Sequence, residues 1–256
     1  MGNRAFVPHT ITSDSALGGS IIDHSIRFNR GDNPHFSRTP SSAGNRRTFT
    51  ISLWAKRSSL SGSAVFGAYI SNSNRATLRF TGGDVIEFQH AHSSNESVKT
   101  NASFRDTNSW YHIVCAIDTT QASQSDRGKI YVNGVQQTLQ SNNLTQNIET
   151  SVNNNSAQVF GTRWINNPNG NFDGYLTEIY LIDGQQLEPT AFGYTESQTG
   201  IWKPKKYTGT FGTNGVHLPV NGFSHLGKDK SGNGNDYIPI KCGTVPIDKA
   251  TGAFPI

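Results

Sequence analysis

The sequence predicts many short β-strands, and the acidic residues in and beside them are not spaced like the two carboxylates of a glycan-cleaving enzyme. Enzymes that cleave glycans need two carboxylates flanking the scissile bond, and strand side chains share a face only at even separations. Asp84 and Glu87 are three residues apart. Glu178 is five residues from Asp173, and Asp183 lies another five residues on. These odd separations put the members of each pair on opposite strand faces, so we predict a chain without glycan-cleaving activity.

Two further pairs of side chains are candidate metal ligands. His90 and His92 are two residues apart at a strand end, so both rings face one side, and symmetry copies in a trimer would complete a ligand set. Asp229 and Asp236 bracket a turn-rich stretch that offers oxygen atoms to Ca²⁺, but no glutamate closes it as a bidentate ligand. Turn-forming hydrogen bonds explain that stretch equally well. We interpret the histidines as an exposed strand end and predict no cofactor, with Ca²⁺ as the alternative.

Residues 163–171 combine an indole ring with an arginine and several side-chain amides. An aromatic face binds the apolar side of a sugar ring, and amides on a loop bind its hydroxyls. The candidate glycan-binding residues are Arg163, Trp164, Asn166, Asn167, Asn169 and Asn171. The competing interpretation is that Trp164 covers the base of its own loop and the asparagines form turns. We interpret Trp54, Trp110 and Trp202 as structural.

The composition is typical of short strands joined by turns. Among 256 residues there are 26 glycines, 16% charged residues and 34% hydrophobic residues. The net charge of +4 comes from scattered basic residues, which argues against nucleic-acid binding. No apolar run approaches the roughly 18 residues that a membrane-spanning helix needs, and the N-terminus lacks the apolar core of a signal peptide. The two cysteines, Cys115 and Cys242, are too far apart in sequence to indicate a disulfide framework.

Period-two patterns predict antiparallel strands through most of the chain. Residues 48–57 alternate apolar and polar side chains, and residues 64–89 read as three strands joined by tight turns. Asn133–Gly134 between two β-branched runs predicts a hairpin with a type I′ turn. Helix content should be low, with at most one turn in residues 188–192.

Residues 172–187 form the strand around which the others are arranged. Leu176, Glu178 and Tyr180 are predicted to share one of its faces. Near its end both faces are apolar, so we expect an inner strand that is covered on both sides. After residue 195, glycine, proline, lysine and asparagine dominate, and we expect an arm that needs another surface to order it.

Four of these segments together resemble the core strands of the laminin-G-like (concanavalin A-type) jelly roll. They are residues 48–56, 110–118, 129–134 and 172–180. The resemblance implies an all-β fold, an antiparallel β-sandwich jelly roll with an extended, mostly irregular C-terminal arm. We accordingly divide the chain into a lead-in at 1–24, a jelly roll at 25–195 and a Gly/Pro-rich arm at 196–256. Calcium at the sandwich rim is common in that family.

A narrower resemblance links other segments to virion-associated proteins of marine tailed bacteriophages. The segments are residues 38–46, 104–111, 182–187, 199–204, 207–215 and 226–236. This resemblance implies a structural or host-recognition role in the virion, after synthesis in the host cytoplasm. A fold does not determine such a role by itself.

The sequence therefore supports three hypotheses about function. The first is a non-enzymatic fibre or appendage component that contacts host-surface glycans. Its partners would be other virion proteins and copies of itself, with a trimer favoured. Assembly is expected because the arm needs another surface to bury against, and several copies would strengthen weak glycan contacts through avidity. The alternative is a capsid decoration protein without sugar binding, and the least favoured is a glycan-cleaving enzyme. None of the three calls for membrane insertion or nucleic-acid binding.

Overall fold

A computed structural model of the chain describes residues 19–20, 22, 24–92, 94–165, 170–220 and 226–242, together with the backbone of 249–250. Most of the predicted lead-in at 1–24 lies outside these residues. Strands dominate the described part, and its helices are three single turns at Arg30–Asp32, Gln124–Arg127 and Pro189–Ala191. None of the helices described is long and apolar enough to cross a membrane.

The strands are numbered β1 to β18 in chain order. Their bounds are β1 Ser25–Phe28, β2 His35–Arg38, β3 Thr48–Arg57, β4 Ser63–Ser71, β5 Asn74–Phe80, β6 Val85–Ala91, β7 Asn95–Ser103, β8 Tyr111–Asp118, β9 Gly128–Val132, β10 Val135–Gln136, β11 Leu139–Asn142, β12 Gln158–Phe160, β13 Gly174–Asp183, β14 Gly193–Thr195, β15 Trp202–Pro204, β16 Val216–Leu218, β17 Ile238–Ile240 and β18 Lys249–Ala250.

Two antiparallel sheets form the sandwich, which confirms the predicted fold class. Sheet I has the order β10-β9-β8-β3-β13-β1-β18, and β16 also pairs with β13. Sheet II has the order β11-β7-β6-β5-β4-β12-β2-β17, while β14 and β15 pair separately. β13 lies between β3 on one side and β1 with β16 on the other, so the predicted inner strand is confirmed.

The core lies between the two sheets and follows the predicted alternation. In β3, the inward-facing side chains Phe49, Ile51, Leu53 and Ala55 are all fully buried. Cys115 of β8 is part of the same core, as predicted. Each large apolar side chain buried there contributes roughly 1.5–3 kcal/mol to folding. The Asn133–Gly134 hairpin is confirmed too, with positive φ values of 49° and 80° at its two turn residues.

A bulge in β13 overturns the predicted face of that strand. Glu178 adopts a left-handed conformation with φ 46°, and the register with β3 shifts between Thr177 and Tyr180. Leu176 and Ile179 therefore belong to the core, while Tyr180 faces outward. The prediction that Leu176, Glu178 and Tyr180 share a face was wrong, because one extra residue resets the alternation.

The described part of the C-terminal arm packs on the chain's own sandwich. On the outer face of sheet I, Tyr180 contacts Phe192 and Phe211, and Phe192 contacts Tyr207, in a second buried apolar cluster. β16 adds to sheet I beside β13, and β17 adds to the edge of sheet II beside β2. The surface that orders this part of the arm thus belongs to the same chain.

Candidate functional site

A groove of 280 Å³ lies on the outer face of sheet II, and we name it the Trp164 groove. Phe36 of β2 points into the core, so its neighbours His35 and Ser37 point outward into this groove. Residues 162–165 and Asn171, from the segment between β12 and β13, form one wall, and β17 forms another. The lining residues are Asn33, His35, Ser37, Thr162, Trp164, Ile165, Asn171, Ile238, Ile240 and Lys241.

The wall that carries Trp164 is held close to the sheet. Gly67 of β4 has no side chain, and a Cβ placed there would lie only 1.8 Å from the carbonyl oxygen of Arg163. At the other end of the loop, Asn171 is 2% exposed. Its Oδ1 accepts a 2.7 Å hydrogen bond from the Thr162 hydroxyl, and its Nδ2 donates to the carbonyl of Arg30. Asn171 therefore secures the base of the loop.

The Trp164 indole is fixed by three neighbours and is half-buried. It stacks on Tyr69 with ring centroids 5.5 Å apart and an interplanar angle of 25°. The guanidinium carbons of Arg75 and Arg163 lie 5.5 Å and 5.0 Å from its ring centroid. Such cation–π contacts each contribute about 0.5–1 kcal/mol or more. The ring is thus held in place as a groove wall without needing a ligand.

The structure brings only some of the predicted glycan-binding residues to the groove. Trp164 and Asn171 line it, and Arg163 lies against the indole. Asn166, Asn167 and Asn169 lie outside the described residues. The sequence did not single out the other lining residues, which are Asn33, His35, Ser37, Thr162, Ile165, Ile238, Ile240 and Lys241. The one signal that pointed to them was the apolar Ile238-Pro-Ile240 segment inside an otherwise polar arm.

The arginines near Trp164 differ in their pairing. Arg79 forms a 2.6 Å ion pair with Glu87. Among the described residues, neither Arg75 nor Arg163 has a carboxylate within salt-bridge distance, and the buried Nε atom of each has no hydrogen-bond partner. Burial lowers the pKa of Arg163 below its ordinary value, and the charges of Arg79 and Arg75 lower it further. This edge of the groove is therefore positively charged.

The two histidines considered as metal ligands do lie side by side. Their rings stack with centroids 6.1 Å apart. However, the expectation of an exposed strand end was wrong for His90, which is fully buried, because its side chain follows Ile86 and Phe88 toward the sandwich interior. Burial lowers the pKa of His90 to about 4, so the ring is neutral at pH 7.

The acidic pair in the arm organises its own turn. The Asp229 carboxylate accepts hydrogen bonds from the backbone N–H groups of His217, Ser231 and Asn235 and from the Ser231 hydroxyl. Asp236 accepts from the Asp229 N–H and forms a 2.7 Å ion pair with Lys228. The described part of the chain holds no group of three or more His, Cys, Asp or Glu residues suited to a metal ion.

A second groove, of 400 Å³, lies on the opposite face of the sandwich, and we name it the Trp110 groove. Trp54, Trp110 and Trp202 come together there from three distant segments. Trp202 donates a 2.9 Å hydrogen bond from Nε1 to Nδ1 of the buried His112, whose ring stacks on Trp54 at 4.8 Å. The prediction that these tryptophans are structural did not foresee that they line one groove.

The carboxylates considered as catalytic candidates are all engaged with neighbouring groups. Asp173 pairs with Arg27 at 2.6 Å, and Glu178 with His217 at 2.9 Å. Asp183 accepts hydrogen bonds from the backbone N–H groups of residues 45 and 214 and from the side-chain amide of residue 153. Asp84 and Glu87 pair with the arginines Arg57, Arg105 and Arg79.

A family model described as the concanavalin A-like lectin/glucanases superfamily matches residues 30–189. The chain therefore belongs to this superfamily, and its fold is a lectin-like jelly roll. The predicted resemblance to the laminin-G-like jelly roll is confirmed. No curated protein matches the chain, and the narrower resemblance to phage proteins remains a prediction.

Solved structures of the same fold share little sequence with the chain. A candidate carbohydrate-binding protein from Bacteroides ovatus has a TM-score of 0.53 at 15% identity, over 86% of this chain and 59% of that one. A heptameric pentraxin from Limulus polyphemus has a TM-score of 0.48 at 16% identity, over 67% and 80%. Domains LG4-5 of the mouse laminin α1 chain have a TM-score of 0.48 at 14% identity, over 79% and 48%. At 15% identity the likeness to the Bacteroides ovatus protein shows the fold alone.

Proposed function

We propose that this chain is a non-catalytic glycan-binding protein and that the Trp164 groove is its binding site. The observation that carries the proposal is a fixed, half-buried indole in the lining of a groove that also holds hydroxyl, amide and ammonium groups. An aromatic face takes the apolar side of a sugar ring, and polar groups around it orient the hydroxyls. At 280 Å³ the groove suits one or two sugar units rather than a long chain.

The absence of catalysis is part of the same proposal. A hydrolase needs one carboxyl group to donate a proton and a second to attack or to activate water. In this chain the candidate carboxylates are engaged by arginines, His217 or backbone N–H groups, which occupy the oxygens that catalysis would need. Release of reducing ends from an oligosaccharide panel would contradict this part.

We also propose that the protein is a virion fibre or appendage component, on the strength of the phage-like segments in its sequence. A single shallow site binds weakly, and display in several copies strengthens attachment. The alternative, a capsid decoration protein, is supported by β17, which forms the outer edge of sheet II with Ile238 and Ile240 65% and 36% exposed. Such an edge can pair with a strand of another protein.

Trp164→Ala is expected to weaken glycan binding roughly tenfold to a hundredfold. Burial of an aromatic side chain against a ligand contributes about 1.5–3 kcal/mol, which corresponds to that range of affinity. The measurement is a glycan array followed by isothermal titration with the best binder. Trp110→Ala is the matched control, because it removes an indole from the opposite face of the sandwich.

A second variant tests the groove without touching its lining. Gly67→Ala places a methyl group against the Arg163 carbonyl and should displace the Trp164 wall, whereas Gly82→Ala has open space around it. If Gly67→Ala and Trp164→Ala bind as well as the unmodified chain while Trp110→Ala does not, the site lies in the Trp110 groove. If no glycan binds the unmodified chain, the proposal is wrong.

We expect the protein to form a homo-oligomer, with a trimer favoured. The arm that motivated this prediction is partly ordered by its own sandwich, so avidity for glycans is the remaining support. Sedimentation velocity should give a mass of three times 27.9 kDa. A species of 27.9 kDa at micromolar concentration would contradict the prediction.

A further inference from the structure

We propose that the Trp164 groove binds an acidic saccharide, one whose sugar ring carries a carboxylate or sulfate group. The proposal rests on glycan binding at this groove and specifies the class of glycan. Its first support is the charge of the lining. Among the lining residues that the structure describes, Lys241 is exposed and is the one lysine or arginine, and none is an aspartate or a glutamate. Burial holds the pKa of His35 below its ordinary value, and Lys241 adds to that effect, so His35 is neutral at pH 7.

The second support is the pair of arginines that contact the indole. The guanidinium carbons of Arg75 and Arg163 lie 5.5 Å and 5.0 Å from the ring centroid of Trp164, so their positive charges stand next to a residue of the groove lining. The neighbouring Glu87 is already paired with Arg79 at 2.6 Å. Lys241, Arg75 and Arg163 thus give the groove and its Trp164 wall a positive potential that no described acidic side chain in the lining offsets.

The positive charges of Arg75, Arg163 and Lys241 explain why an anion would bind. Among the described residues, neither Arg75 nor Arg163 has a carboxylate within salt-bridge distance, and their buried Nε atoms have no hydrogen-bond partner. Their positive charges are therefore not offset by a bonded acidic group. An anionic group nearby would also lower the repulsion among Arg75, Arg79 and Arg163. Lys241 is placed to contact the anion directly, while the two arginines act through their field.

The shape of the groove points to a sugar rather than a nucleic acid. Nucleic-acid binding needs a track of cations that follows several phosphates. Here one lysine lines a single groove of 280 Å³, and two arginines contact the indole that lines it. The exposed side chains of Ile165 and Ile238 add apolar surface to the same lining. That combination fits one ring with an apolar side and one acidic substituent.

The test compares three groups of oligosaccharides of matched length: neutral, carboxylated and sulfated. The acidic members are expected to bind at least tenfold more tightly than the neutral ones. Raising the salt concentration from about 0.1 M to about 1 M shortens the Debye length from about 10 Å to about 3 Å, so this preference should shrink. Binding of neutral sugars should change little.

Charge-removing variants assign the effect to residues. Lys241→Gln and Arg163→Gln are each expected to reduce the acidic preference about tenfold. The preference is measured as the ratio of acidic to neutral affinity in the same variant, so a general loss of binding does not count as a loss of preference. Lys228→Gln and Arg47→Gln are the matched controls, since each removes the same charge from an ion pair outside the groove lining. Comparison of the carboxylated with the sulfated oligosaccharides identifies which anionic group is bound.

The outcomes separate this inference from the function on which it rests. Equal binding of neutral and acidic glycans, abolished by Trp164→Ala, would overturn the acidic specificity and leave glycan binding intact. An acidic preference that persists in Lys241→Gln and Arg163→Gln would also overturn it. Binding of no member of any group would overturn both proposals.

Discussion

Replacing Asp84 by asparagine is expected to lower the free energy of unfolding by about 3–5 kcal/mol, because it leaves a buried cation without a counter-ion. Arg57 is 1% exposed, and its Nη2 lies 2.9 Å from the Asp84 carboxylate. Its Nη1 donates a 2.7 Å hydrogen bond to the carbonyl of Phe104, and its guanidinium lies over the ring of Phe80. The guanidinium is thus held inside the sandwich.

Asparagine is the informative substitution at this position. Asp84 has φ 62°, a conformation that asparagine tolerates better than alanine. Burial by itself would raise the pKa of Asp84, but hydrogen bonds and charge from Arg57 and Arg105 lower it below its ordinary value. The carboxylate is therefore ionised at neutral pH, and the substitution removes a full charge without adding backbone strain.

Arg105→Gln is the matched control, since Arg105 pairs with the same carboxylate. Its side chain is 66% exposed, so its loss should cost less than about 1 kcal/mol. Urea unfolding followed by circular dichroism measures both variants. Equal losses in Asp84→Asn and Arg105→Gln, or a loss below about 1 kcal/mol in Asp84→Asn, would contradict the argument. Combining Asp84→Asn with Arg57→Met should restore part of the stability.

Acidification from pH 6.5 to pH 4 is expected to destabilise the fold by several kcal/mol, because two buried histidines fold in the neutral state. Burial lowers the pKa of His90 to about 4 and that of His112 to about 3. The Nδ1 of His112 accepts a hydrogen bond from Trp202, and its Nε2 lies 2.9 Å from the Ser52 hydroxyl. Each contact suits the neutral ring.

The direction of the effect follows from the proton balance. In the unfolded chain both rings take up a proton near pH 6.5, whereas the folded chain binds it only near pH 4 or 3. The stabilising contribution is therefore complete above pH 6.5 and is lost as the pH falls toward the folded pKa values. The loss is about 1 kcal/mol per pH unit for each histidine.

The change of the unfolding free energy with pH is obtained by measuring that free energy at half-unit intervals of pH. His90→Gln should reduce this change by about half between pH 6 and pH 4.5, because one of the two strongly shifted groups is removed. A flat profile in that interval for the unmodified chain would contradict the assignment. Buried carboxylates such as Asp84 contribute at lower pH, since their pKa values lie below the ordinary one.

Much of the fold was predictable because it depends on neighbours in sequence. The period of β3, the Asn133–Gly134 turn and the helical turn at Pro189–Ala191 each follow from local geometry. The bulge at Glu178 was not predictable in this way. A glutamate in the left-handed conformation carries no local signal, and its carboxylate accepts from Tyr180 and contacts His217 of the distant β16.

The candidate site, too, was predictable only where it depends on residues that are neighbours in sequence. Trp164 was found by residue type alone, since an indole among asparagines and glycines marks a displayed loop. The rest of the groove comes from β2 and β17, which precede and follow that loop by many residues. The burial of His90 and the meeting of three tryptophans in the Trp110 groove likewise depend on which strands pair.

By itself, the sequence determined an all-β sandwich, its main hairpin, its inner strand and a tryptophan with the chemistry to hold a sugar, because alternation and turn preference act over a few residues. Only the tertiary structure decided that the arm adds a strand to each sheet, that His90 is buried, and that Arg75 and Arg163 lie against an indole that lines one groove with Lys241. The physical reason is that burial and electrostatic fields depend on distance in space, which strand pairing sets.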